Sequence, residues 1–225
     1  MDTIENWLAA GNSIIVVPGW HDSGPAHWQS RWCAQYVGFG RVVQHDWNEP
    51  NARDWVAGLE RTVAAAPGRV ILVAHSLGCV TLGHWAMLSG HAARVVGALL
   101  VAPADVSRED APASFATFLP LPAAKLPFAS VVIASDNDPV CSPARSITLA
   151  RDWGSRCVQL AGLGHINAES GLEDWPLGLK LLSQLLPLYG SNEAPSPGIS
   201  LQQEPKALPF PGALLRSARE IRFAA

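Results

Sequence analysis

Many features that would mark other classes of protein are missing from this chain. It has no basic tract, and its 16 Lys and Arg against 19 Asp and Glu give a formal net charge of −3. A chain that held nucleic acid by its phosphates would carry a basic face, so nucleic acid is not an expected partner. The four cysteines, Cys33, Cys79, Cys141 and Cys157, form no C-x-x-C pair. They read as free thiols in a reducing compartment rather than as a metal or disulfide framework. The first residues, Met1-Asp2-Thr3-Ile4-Glu5-Asn6, are acidic where a secretory signal has a basic region. The first apolar run, Ile14 to Val17, falls far short of the roughly 20 residues of a membrane helix. The expectation is a cytoplasmic protein without membrane contact, and no internal repeat is present.

What is present is a 225-residue chain, 48% hydrophobic, which suffices for one sizeable core. Ser13 to Val17 is a short continuous apolar run ending in Pro18-Gly19, the pattern of a strand buried on both faces. A helix is expected through Trp32 and Tyr36, and a second strand over Arg41 to His45. A third element is a helix entered near Pro50-Asn51, with Trp55, Val56, Leu59 and Val63 on its apolar stripe and Arg53, Glu60 and Arg61 toward water. Further strands are expected at Val95 to Val101, Ser130 to Ala134 and Cys157 to Leu160. Helices are expected at Arg145 to Trp153 and around Leu177, Leu181, Leu182 and Leu185. Strands alternating with helices predict an α/β fold, a mostly parallel sheet of about six strands with helices on both faces. Residues 105–128 are Pro-broken but apolar, with Phe115 and Phe118, and read as a minimal lid or pocket wall. From about Pro187 the composition turns to Pro, Gly, Ser and Gln, so residues 1–187 are read as the domain. Residues 188–225 are read as a tail that ends in a short helix near Leu214 to Phe223.

The organising stretch is Arg69 to Val80, R-V-I-L-V-A-H-S-L-G-C-V. An apolar β-branched run breaks at His75-Ser76-Leu77-Gly78 and passes into a helical pattern, which places Ser76 at a strand-turn-helix elbow. The pattern A-H-S-L-G departs from G-x-S-x-G only in Ala74, the next smallest residue. A second Ser-x-Gly triplet, Ser196-Pro197-Gly198, lacks that context.

A serine hydroxyl is a weak nucleophile near neutral pH and needs a base, an orienting acid and donors for the oxyanion. Two later strand ends supply candidates: Ser135-Asp136-Asn137-Asp138-Pro139 and Gly162-Leu163-Gly164-His165-Ile166-Asn167. The order Ser, Asp, His is that of α/β-hydrolases. Taken singly, a turn serine, an Asp-Pro pair and a lone histidine are ordinary turn and surface residues. Their fall at three relevant strand ends in one order favours Ser76, Asp138 and His165 as a catalytic triad. Asp136 remains the rival acid, and Asp138 is preferred because Pro139 fixes the backbone beside it. The expected oxyanion donors are the backbone N–H groups of Leu77 and Trp20. Gly19, His21, Trp28, Phe115 and Phe118 are the expected substrate contacts. No cofactor is required.

Several motifs in one order carry a resemblance. They are Val17-Pro18-Gly19 with Ser23 and His27-Trp28, Trp47-Asn48-Glu49-Pro50 with Asp54-Trp55, and Ala74 to Cys79. Ser135 with Asn137-Asp138-Pro139 follows, then Gly164-His165-Ile166-Asn167 with Ser170-Gly171 and Trp175-Pro176. Over about residues 10–187 the chain resembles the RBBP9/YdeN family of small serine hydrolases. The resemblance implies a compact α/β-hydrolase fold and the same triad. The L-x-C-x-E motif to which retinoblastoma-protein binding is attributed in an animal member does not occur, so that partner is not carried over.

Two rivals follow from the same residues. His21, Asp22, His27, His45 and Asp46 are metal-ligand types, but they match no compact motif such as H-E-x-x-H. The fold could also serve as a protein-interaction module with a vestigial site. The favoured expectation is cleavage of a small ester, thioester or amide through an acyl-enzyme.

Overall fold

A computed structural model describes residues 2–187. The tail expected at 188–225 lies outside the described residues.

The elements in order are α1 (Thr3–Ala9), β1 (Ser13–Val17), α2 (Trp28–Gln35), β2 (Phe39–Arg41), α3 (Ala52–Ala65), β3 (Val70–His75), α4 (Leu77–Leu88), β4 (Val95–Val101), β5 (Ala129–Ser135), α5 (Pro143–Trp153), β6 (Arg156–Leu160) and α6 (Pro176–Ser183). The strands form one parallel sheet in the order β2-β1-β3-β4-β5-β6. Alternation along each strand divides the core in two. Ile15, Val17, Leu72, Ala74, Ala98 and Leu100 face one layer with Leu59, Leu82, Trp85 and Trp153 of α3, α4 and α5. Ile14, Val16, Ile71, Val73, Leu99 and Val101 face the other with Trp7, Trp28, Trp32 and Leu182 of α1, α2 and α6. A sheet covered on both faces requires the unbroken apolar runs seen in the sequence. No described helix is long and apolar enough to cross a membrane.

Several local expectations shift. The second strand is Phe39–Arg41 rather than Arg41–His45. Its pairing with β1 runs from Ile14↔Phe39 to Val16↔Arg41, one more bond joins Val42 N–H to the Val16 carbonyl at 3.0 Å, and β1 then ends. With no partner left, Val43 turns into solvent. Glu60 does not face water alone. It accepts hydrogen bonds from Trp85 Nε1 and Ser89 Oγ, both at 2.6 Å, and lies 2.7 Å from His91 Nδ1, so it ties α3 to α4. In α6 the sheet-facing residues are Leu181 and Leu182, while Leu177 is exposed and Leu185 lies past the helix end. Helix α1 was not expected from the sequence; an Asp2–Glu5 capping box starts it, and Ile4 and Trp7 anchor it. Helix α4 is buried almost all round instead of along one stripe, because α3, the sheet and the 113–118 turn enclose it.

Candidate active site

Strand order reverses between β1 and β3, and in such sheets the crevice beyond the carboxyl ends of those strands is where ligands bind. The β3–α4 junction lies there. Ser76 has φ 53° and ψ −122°, a conformation that a non-glycine residue holds only when its surroundings impose it. The constraint comes from close packing. A Cβ at Gly78 would stand 2.3 Å from the Val17 carbonyl oxygen and 2.7 Å from that of Pro18, so only glycine lets α4 start against β1. A Cβ at Gly19 would meet Ser76 Cβ at 2.8 Å and the Leu77 nitrogen at 3.3 Å. Gly19 therefore lies against the elbow rather than on the wall of a substrate cavity.

The three residues expected as a triad are brought together. His165 Nε2 is 2.8 Å from Ser76 Oγ, and His165 Nδ1 is 3.0 Å from both Asp138 oxygens. Asp138 Oδ1 also accepts the Val140 N–H at 2.8 Å, and its side chain is almost wholly buried. Asp136 makes no hydrogen bond to the imidazole; its Oδ1 accepts the Gly162 N–H at 2.7 Å. It belongs to a latch in which Ser135 Oγ accepts Leu163 N–H at 3.0 Å and Asn137 Oδ1 accepts Gly164 N–H at 2.8 Å. Successive side chains after β5 thus catch successive amides of the loop carrying His165. Leu77 N–H opens α4, where the helix dipole favours negative charge. Neither Leu77 N–H nor Trp20 N–H has an acceptor among the described residues.

Over Ser76 lies a cavity of about 430 Å³, bordered by Trp20, His21, Phe115 and Val140 and by the polar Arg108, Asn167 and Glu169. Trp20 meets Phe115 edge to face with centroids 5.3 Å apart and stacks on His21 at 3.8 Å. Trp20, His21 and Phe115 are therefore lining residues of this cavity. Trp28 and Phe118 are not. Trp28 is buried beside Trp32 and Trp175, because its indole is a core anchor of α2. Phe118 packs behind Phe115 against Trp55, where the 113–118 turn seats on α4. Sequence reasoning missed Val140, Arg108, Asn167 and Glu169, although Val140 and Asn167 sit within two residues of Asp138 and His165.

The alternative metal-ligand set does not converge. Asp22 is bound to Arg41 at 2.5 Å, Asp46 accepts the backbone N–H groups of Asn48 and Glu49, and His27 Nδ1 caps α2 through Gln29 N–H. Among the described residues no cluster of three His, Cys, Asp or Glu has metal-holding geometry. Burial, with Arg41 and His165 nearby, lowers the pKa of His27 to about 4, so its ring at the cavity edge is neutral at physiological pH.

The profile of a family described as serine hydrolase matches residues 14–184. The chain is similar to a candidate YdeN-like hydrolase from Pectobacterium atrosepticum at 30% identity, over 82% of this chain and 98% of that one, with a TM-score of 0.70. It is similar to the ydeN gene product of B. subtilis at 18% identity, over 77% and 98%, with a TM-score of 0.61. An enol-lactonase from Burkholderia xenovorans aligns at 15% identity, over 78% and 91%, with a TM-score of 0.54. The last two likenesses speak for the fold alone. No curated protein matches the chain.

Proposed function

Because the chain belongs to the serine hydrolase family, in its YdeN-like branch, we propose that it cleaves a small ester, thioester or amide through Ser76, His165 and Asp138. The observation that carries this reading is the hydrogen-bonded series Asp138–His165–Ser76, at 3.0 and 2.8 Å, beneath a strained elbow.

Asp138 accepts from His165 Nδ1–H, which leaves Nε2 as the acceptor for the Ser76 hydroxyl proton. As Oγ attacks the substrate carbonyl carbon, that proton moves to Nε2 and negative charge develops on the carbonyl oxygen. The N–H groups of Leu77 and Trp20 receive this oxygen, and each such donor typically contributes about 3 kcal/mol to the transition state. The imidazolium then protonates the leaving alcohol, thiol or amine. Water, deprotonated by the same nitrogen, releases the acid from Ser76.

A cavity of about 430 Å³ with Trp20, Phe115 and Val140 on its apolar side suits a short acyl or leaving group rather than a long lipid. The four cysteines are all free, which suits a reducing compartment such as the cytoplasm. Residues 1–187 are read as the hydrolase domain and 188–225 as its tail. The rival reading as a non-catalytic interaction module has no observation of its own in its favour.

The test is labelling with a fluorophosphonate probe and mapping of the modified residue by mass spectrometry. Modification at Ser76, lost in Ser76→Ala and His165→Ala, is the expected result. A folded wild-type protein that takes no label would overturn the reading.

A further inference from the structure

The loop that carries His165 is held from two sides. Its amides at 162–164 are caught by the side chains of Ser135, Asp136 and Asn137. Its carbonyls at 165 and 166 are caught by side chains of other elements, β3 and α2. His75 Nε2 lies 3.0 Å from the His165 carbonyl oxygen, and Trp28 Nε1–H donates to the Ile166 carbonyl oxygen at 2.8 Å. A carbonyl only accepts, so the bond assigns the His75 proton to Nε2. Ile166 is fully buried at φ 49°, a left-handed conformation that a β-branched residue adopts only under restraint. His75 and Trp28 supply restraint on either side of that residue's backbone.

His75 is itself held in place. It is buried, with its ring edge-on to His27 at 4.7 Å and to Trp28 at 6.1 Å. Burial above all, then the imidazoles of His165 and His27, pushes its pKa well below the ordinary histidine value. The ring is therefore a neutral donor. It also immediately precedes Ser76, so the residue step that presents the nucleophile reaches across to the backbone of the base.

The geometry points to His75 as a positioning residue for the reaction. By donating Nε2–H to the His165 carbonyl, with Trp28 doing the same one residue later, it sets the imidazole over Ser76 Oγ. This rests on the triad reading above. The Ser76–His165 contact joins side chains 89 residues apart, and the bond from the His75 side chain, one residue before Ser76, reaches the backbone carbonyl of His165 itself. Misplacement by about 1 Å costs on the order of 100-fold in rate, so a backbone tie beside the catalytic contact acts mainly on kcat.

The test measures kcat and KM for p-nitrophenyl acetate together with the melting temperature. His75→Gln keeps an N–H donor near the Nε2 position, and His75→Leu removes it. The leucine variant is expected to lose about 30-fold to 100-fold in kcat with KM within about twofold, and the glutamine variant to recover most of the loss. Trp28→Phe, which deletes only the second donor, is expected to lower kcat by about tenfold. A folded leucine variant with wild-type kcat overturns the inference. So does a glutamine variant that falls as far as leucine at an unchanged melting temperature, since the ring rather than the donor would then matter. If the leucine variant does not fold, His75→Asn replaces it, because its shorter amide stops short of the carbonyl and the same outcomes decide. Ser76→Ala is measured first: hydrolysis that survives it refutes the triad reading, whereas its loss beside an indifferent His75 refutes this inference alone.

Discussion

One cavity, about 940 Å³, opens beside α1 and β2, with Leu8, Tyr36, Val37 and Phe39 on its walls. Another, less than half that size at about 430 Å³, opens beyond the carboxyl ends of β1 and β3, above Ser76. The large groove is bordered by the edge of the sheet and by ordinary backbone, apart from glycines. The small cleft is bordered by three non-glycine residues at positive φ, His21, Asp22 and Ser76, and a fourth, Ile166, lies between the lining residues His165 and Asn167. It is also where three long-range hydrogen-bonded side chains converge. Size therefore does not distinguish the candidate site. Stored backbone strain, buried titratable groups and unpaired N–H donors do, because each is costly unless the fold imposes it.

Substitutions can break that contrast from either side. Within the cleft, Asp138→Asn is expected to lower kcat by about 10⁴-fold, because the amide presents the wrong partner to His165 Nδ1. Asp136→Asn, two residues away, weakens only the bond to Gly162 N–H and is expected to change kcat by less than about tenfold and stability by about 1 kcal/mol. Steady-state kinetics on the two variants decide the assignment, and the reverse ranking would move the acid to Asp136.

Gly78→Ala acts on the foundation of the cleft. Its Cβ would fall 2.3 Å from the Val17 carbonyl oxygen, a backbone atom that cannot step aside. A loss of about 3 kcal/mol or more in denaturant unfolding is expected. A variant as stable as wild type would show that α4 can shift away from β1 without penalty.

The buried histidines beside the cleft predict acid sensitivity. His27 titrates near pH 4 when folded and near 6.5 when unfolded. Between those values the unfolded chain binds the extra proton, so stability is full above pH 6.5 and falls as pH drops toward 4. The loss from His27 is about 3 kcal/mol at 1.36 kcal/mol per unit, and His75, lowered in the same direction, adds to it. His27→Asn keeps an N-cap acceptor for Gln29 N–H and removes the titration. Its stability measured against pH should be visibly flatter on the acid side, and an unchanged profile would put the His27 ring in contact with water.

The smallest effect is expected in the groove. Val37 is 96% exposed there, and Val37→Ser should leave kcat unchanged and stability within about 0.5 kcal/mol. A drop in turnover from this position would mean that the larger cavity communicates with the cleft.

Much of the fold was legible because its signals are local. β1 and β4 coincide with the apolar runs Ser13–Val17 and Val95–Val101, since a strand buried on both faces reads as a near-continuous apolar run. The elbow was legible for the same reason: a strand, a small-residue turn and a helix start are neighbours in sequence. β2 was misplaced by two residues at its start and four at its end because its length is set by where β1 stops, not by its own composition. Trp28 and Phe118 looked like pocket aromatics, but an aromatic side chain carries no mark of which side of a wall it will occupy.

The sequence by itself determined the order of strands and helices from β1 onward, the serine at the turn, and the pool from which acid and base could come. Which aspartate meets His165 depended on the tertiary structure, as did the latch of Ser135, Asp136 and Asn137 on the 162–164 amides and the reach of His75 to the His165 carbonyl. Those contacts join residues between 26 and 90 positions apart. Local propensity has no purchase over such separations; only the packing of two helical layers on one ordered parallel sheet brings these groups within hydrogen-bonding distance.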